Sequence, residues 1–94
     1  MKTDYILYKN PVQLETLYVV QYLHFLGKDP VPKYCIERNH PSWVTRLPSI
    51  SSDGYKYVGL ERVIQFYENI FNVSNLLDKA NKFKSEFPSY RIHT

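Results

Sequence analysis

A chain of 94 residues that is 44% hydrophobic and 22% charged has room for one domain with one core, and its composition excludes a disordered or fibrous protein. The net charge of +3 is too dilute for the dense basic stripe of a small nucleic-acid binder, so a nucleic-acid partner is not expected. A single cysteine excludes an internal disulfide and suits a reducing compartment.

No apolar run follows Met1-Lys2-Thr3-Asp4, and the apolar-rich stretch from Leu14 to Leu26 is broken by Glu15, Gln21 and His24. The expectation is a protein with no leader and no membrane span, in the cytoplasm or another reducing setting. Nine tyrosines and five phenylalanines are more rings than so small a core holds, which predicts that some line a contact surface. The wealth of Tyr, Asn, Lys, Ile and Phe fits an AT-rich coding genome, including some large DNA viruses. A virion or viral-assembly protein is therefore one expected setting.

Tyr5-Ile6-Leu7-Tyr8 is β-prone and ends at Lys9-Asn10-Pro11. Asn10 as N-cap, Pro11 in the first turn and Gln13 completing a capping box predict a helix over residues 11–26, stopped by Gly27. That helix carries two apolar stripes. Val12, Thr16, Val19, Val20, Leu23 and Leu26 suit packing on a sheet. Leu14, Tyr18, Tyr22 and Phe25 form a more aromatic stripe, which either packs under neighbouring elements or meets a partner.

The extended Asp29-Pro30-Val31-Pro32 leads into a second strand over residues 33–37, with Cys35 read as a small buried hydrophobe. Residues 39–46 read as a loop. Its Trp43 either covers the sheet edge or anchors a partner. Leu47-Pro48-Ser49-Ile50-Ser51 and Tyr55-Lys56-Tyr57-Val58 form a hairpin through Ser52-Asp53-Gly54. After Gly59, Leu60, Val63, Ile64, Tyr67, Ile70 and Phe71 follow a helical stripe. Ser74 is the expected cap of a further helix, at about residues 75–87, which buries Leu76, Leu77, Ala80 and Phe83 and stops at Pro88. Lys79, Lys82, Lys84 and Arg91, diluted by Asp78 and Glu86, read as a solvated face near the end of the chain.

This order of strand, helix, strand, loop, two strands and two helices, with Pro48 opening the third strand, resembles the glutaredoxin fold and the N-terminal domain of glutathione transferases. The resemblance covers roughly residues 4–71 and is best at Leu47-Pro48-Ser49-Ile50, Asp53-Gly54, Tyr57-Val58-Gly59 and the helix with Val63, Ile64 and Tyr67. It implies an α/β, thioredoxin-like (glutaredoxin-type) domain: a four-stranded mixed sheet with flanking helices and a reduced second helix. It also implies a cis bond before Pro48 and a ligand-pairing backbone at Leu47. Tyr8 would sit near the hydroxyl that activates glutathione in some transferases, and Glu61 would face its charged ends.

The redox Cys-x-x-Cys of the family is missing. The matching stretch, Asn10-Pro11-Val12-Gln13-Leu14-Glu15-Thr16, holds no cysteine, and a low-pKa thiolate at the helix start is the core of that chemistry. The expectation is thus a non-catalytic module with no cofactor, taking a protein partner or a second copy through Leu14, Tyr18, Tyr22, Phe25 and Trp43. The alternative is a glutathione- or thiol-linked protein using Cys35 or Tyr8. His24, His40 and His93 lack metal-ligand spacing, so no metal site is expected.

Overall fold

The computed structural model describes residues 4–92. Its elements run β1 (Ile6–Tyr8), α1 (Glu15–Phe25), β2 (Tyr34–Ile36), β3 (Ser49–Ser52), β4 (Tyr55–Val58), α2 (Leu60–Phe71) and α3 (Leu76–Glu86). The four strands form one mixed sheet in the order β2-β1-β3-β4. β1 and β2 pair in parallel through the α1 crossover, with Leu7 opposite Cys35. β3 runs antiparallel to both β1 and β4, with Ile50 opposite Leu7 and Tyr57 opposite Ile50. Asp53 and Gly54 turn the hairpin with φ of 50° and 82°, the left-handed pair that matches strand twist.

Side chains alternate across a strand, so Tyr5, Leu7, Ile50 and Tyr57 share one sheet face. That face carries the core. Leu7 and Ile50 join Val19 and Leu23 of α1, Val63 and Tyr67 of α2, and Leu76 and Ala80 of α3 in one buried cluster. The opposite face holds Ile6, Tyr8, Ile36, Lys56 and Val58. No helix lies between β2 and β3 among the described residues, so this face is covered only by the loop of residues 37–48. Trp43 from that loop meets Tyr8 edge-on at 5.2 Å, and Lys56 Nζ stands 5.5 Å from its ring centre.

Four local expectations need correction. The first helix starts at Glu15, not at residue 11, because Asn10 is used earlier. Its Oδ1 accepts from the Val12 amide at 3.0 Å and its carbonyl accepts from the Gln13 amide at 3.0 Å, which closes a separate turn. Leu14 therefore holds the N-cap position with no side-chain cap, and Val12 is 81% exposed. The helix does end at Gly27, whose φ of 83° lets the amides of Gly27 and Lys28 reach the carbonyls of His24 and Leu23. With the helix closed there, Leu26 stays exposed.

Cys35 is exposed rather than buried, since β2 is an edge strand. In α2, Phe66 takes the buried place given to Ile70, because its ring packs on Tyr57 and Tyr5 at 5.0 and 5.4 Å. Ser74 does not cap α3. The Leu76 amide donates instead to Glu68 Oε2 at 3.0 Å, so the carboxylate of α2 closes the start of its neighbour.

Candidate functional site

The approach to α1 and the approach to β3 meet at one end of the sheet. Gln13 lies between the Asn10 turn and the helix start, and its Nε2 donates to the Leu47 carbonyl at 3.0 Å. The Leu47–Pro48 peptide bond is cis. Pro48 is buried, and its carbonyl accepts from the Gly59 amide at 2.9 Å. Ser49 Oγ donates to the Arg46 carbonyl at 2.6 Å and steadies the same turn. Gly59 has φ of 93°, and a β-carbon built there would lie 3.2 Å from the Arg46 guanidinium.

Between these two approaches and α3 lies an open cleft of about 630 Å³. Gln13 and Leu47 line it together with Leu14 at the N-cap of α1, Tyr18 within α1 and Asn81 of α3. Val12 and Glu15 complete the mouth. Leu14 is 47% exposed, so the cleft offers apolar surface beside amides and one carboxylate. Gln13 Oε1 is buried without a hydrogen-bond partner, while its Nε2 is committed to Leu47. Closed off from the cleft in this way, the oxygen is an unmet acceptor inside the wall rather than a contact point for a ligand. Among the described residues no cysteine, serine or histidine side chain lines the cleft. Its lining offers side-chain amides, one carboxylate, one phenol and apolar surface.

The expected ligand set is dispersed. Leu47 lines the cleft, but Tyr8 is 7% exposed and lies under Trp43 on the other sheet face. Glu61 is exposed on the first turn of α2, beside Leu60, Ile64 and Leu77 in a separate hollow. Cys35 lines a third cavity, of about 290 Å³, with Leu7, Leu17, Val20 and Pro32. The residue is exposed as a whole, yet partial burial of the thiol raises its pKa, with Lys9 pulling the other way. A raised pKa keeps the sulfur as the weaker nucleophile.

The expected partner residues also divide. Leu14 and Tyr18 belong to the cleft. Tyr22 and Phe25 pack on Phe83 of α3 at 5.5 and 4.8 Å, so the aromatic stripe is partly consumed within the domain. Trp43 stands on the far side of the sheet and forms no common surface with them. Among the solvated lysines, Lys84 is engaged: its Nζ donates to Gln21 Oε1 at 3.0 Å and lies 5.6 Å from the Tyr18 ring centre.

Of the histidines, His24 Nδ1 meets Tyr90 Oη at 2.6 Å and His40 Nε2 meets the Ile36 carbonyl at 3.2 Å; His93 lies outside the described residues. Among the described residues no group of three or more His, Cys, Asp or Glu side chains could hold a metal ion, and no helix is long and apolar enough to cross a membrane.

Local pattern points Gln13 to helix capping and gives Asn81 no place at the site. The signal for Gln13 is its place in the short segment between the first strand and the first helix, where the Asn10 turn fixes the backbone. Nothing local marks Asn81, which arrives only through the docking of α3. Comparison with protein-family models, with curated proteins and with solved structures finds no match for this chain.

Proposed function

We propose that the chain is a thioredoxin-like domain that binds a segment of a protein partner in the Gln13–Leu47 cleft and performs no redox chemistry there. The thioredoxin-like reading draws on the mixed sheet in the order β2-β1-β3-β4, with a parallel first pair and an antiparallel hairpin. The observation that carries the function is the bond from Gln13 Nε2 to the Leu47 carbonyl, 3.0 Å long. In glutaredoxins, a reactive thiol occupies this side of the cleft. Here an amide ties the two walls together, and the cleft beside it presents the exposed Leu14 and the Glu15 carboxylate to a ligand. The partner would be a protein chain laid across Leu14 and Leu47, and the role that of a binding or assembly module. The glutathione-linked alternative draws less from the geometry, because Tyr8, Leu47 and Glu61 stand in three separate places.

The test is affinity capture from the native source with the wild-type chain and with Leu14→Asp, read by mass spectrometry. A stoichiometric protein retained by the first and lost by the second supports the reading. Retention of the chain on glutathione resin, or turnover in an insulin-reduction assay that Cys35→Ser abolishes, overturns it.

A further inference from the structure

Toward the C-terminal end of α1, away from the cleft, the seam with α3 opens into a second hollow of about 310 Å³. Its floor is Phe83, which is buried. Phe25 of α1 and Phe87 just beyond α3 flank it, 50% and 47% exposed. Their rings stack at 5.6 Å, and each lies against Phe83, at 4.8 and 5.2 Å. Edge contacts from Tyr90 to Phe25 and Phe83, at 5.9 and 5.3 Å, hold the group from behind. Two phenyl groups are thus positioned by the fold yet left half in water. Preorganised aromatic side chains around a hollow are the usual material of a binding anchor.

The rim gives the sign of the partner. Lys79, Lys82 and Glu86 line the α3 side of the hollow, leaving two positive charges against one negative among the described residues. We propose that this hollow docks an acidic amphipathic helix of a protein partner. One large apolar side chain of that helix packs on the exposed sides of the stacked Phe25 and Phe87 rings, and its neighbouring carboxylates pair with Lys79 and Lys82. Helix-in-groove recognition supplies this combination of apolar anchors and flanking charge. A nucleic acid is disfavoured, because its phosphate backbone has nothing to lay on the half-exposed rings of Phe25 and Phe87. The hollow is independent of the Gln13–Leu47 cleft, so either proposal can fail alone.

The probe is a synthetic peptide with leucines at i, i+3, i+4 and i+7 spacing and glutamates elsewhere, titrated into isotope-labelled protein. Amide shifts should concentrate at Phe25, Lys79, Lys82 and Phe87. Affinity should fall at least about tenfold in Phe87→Ser and in the double variant Lys79→Glu/Lys82→Glu. The double variant touches no core side chain, so its circular dichroism and melting curve should match the wild type. The proposal is overturned if the hollow shows no shifts, if a peptide with lysines in place of the glutamates binds equally well, or if an oligonucleotide or an anionic vesicle competes the peptide away. Self-association that occupies the hollow in the absence of peptide overturns it as well. Leu14→Asp should leave peptide binding unchanged, which separates this surface from the cleft.

Discussion

The hydroxyl of Tyr67 donates to the hydroxyl of Tyr5 at 3.0 Å, joining the middle of α2 to the residue that leads into β1. Tyr5 passes the chain of bonds on by donating to the Pro30 carbonyl. Both tyrosines are buried, 2% and 0% exposed, so neither hydroxyl can turn to water. Their rings meet edge-on at 5.6 Å, which places the relay inside the aromatic core. Tyr67→Phe removes only the first donor. Tyr5→Phe strands both the Pro30 carbonyl and the Tyr67 hydroxyl. The expected losses are about 1 kcal/mol for Tyr67→Phe and about 2–3 kcal/mol for Tyr5→Phe, measured by urea unfolding.

The same pair sets an alkaline limit to stability. Burial, first among the causes, pushes the pKa of both hydroxyls well above the ordinary tyrosine value of about 10. In the native chain they keep their protons at a pH where the unfolded chain has lost them. Their contribution is therefore full below about pH 10 and is lost as pH rises beyond it. Melting temperature should be insensitive to these two groups near neutrality and should fall steeply in strong alkali. Phenolate absorbance should show two tyrosines that ionise only as the chain unfolds. The Tyr5→Phe/Tyr67→Phe double variant should lack that late-ionising pair.

Cys35 should be reachable but sluggish. It is exposed on an edge strand, so a thiol reagent should modify it stoichiometrically in the folded chain. Because partial burial raises its pKa, the rate at neutral pH should be below that of free cysteine and should climb with pH. The chain should show no disulfide reductase turnover, since Cys35 is the only cysteine and lies outside the Gln13–Leu47 cleft.

Gly59 is held by its backbone and by its neighbour. Its φ of 93° is costly for any residue with a β-carbon, and that carbon would lie 3.2 Å from the Arg46 guanidinium. Gly59→Ala should therefore cost about 1–2 kcal/mol. Because Gly59 also donates to the Pro48 carbonyl at 2.9 Å, the loss should be felt in the wall of the cleft. Hydrogen exchange at residues 46–50 should accelerate more than exchange in α1.

Element order and type were legible in the sequence because they follow from local pattern. The period of Val63, Ile64 and Tyr67 and the positive-φ turn at Asp53-Gly54 depend on nothing distant. The misplaced details are those decided by tertiary partners. Asn10 reads as a helix cap until its side chain is seen closing its own turn on Val12. Ser74 loses its capping role to Glu68, a residue eight positions before Leu76 on another helix. Leu47 was expected at a ligand site, but its bond to Gln13, 34 residues away, is a product of folding. Tyr8 and Glu61 could be assigned to that site by analogy alone, and three-dimensional packing carries them elsewhere.

Trp43 separates a structural role from a docking role most cleanly. It is half-buried, meets Tyr8 at 5.2 Å with planes at 86°, and has the Lys56 ammonium 5.5 Å from its ring centre. Among the described residues the loop of residues 37–48 covers this face of the sheet, and Trp43 is its largest side chain. Trp43→Ala should thus expose Tyr8 and destabilise the fold by about 2–3 kcal/mol, less than a fully buried ring would cost. Trp43→Phe keeps an edge-on partner for Tyr8 and should recover roughly half of that. As the only tryptophan, it also reports on itself: its emission should move to the red when the loop lifts from β1 and β4. If Trp43→Ala melts like the wild type yet abolishes a complex, the ring is a partner anchor and the face beneath it needs no internal cover.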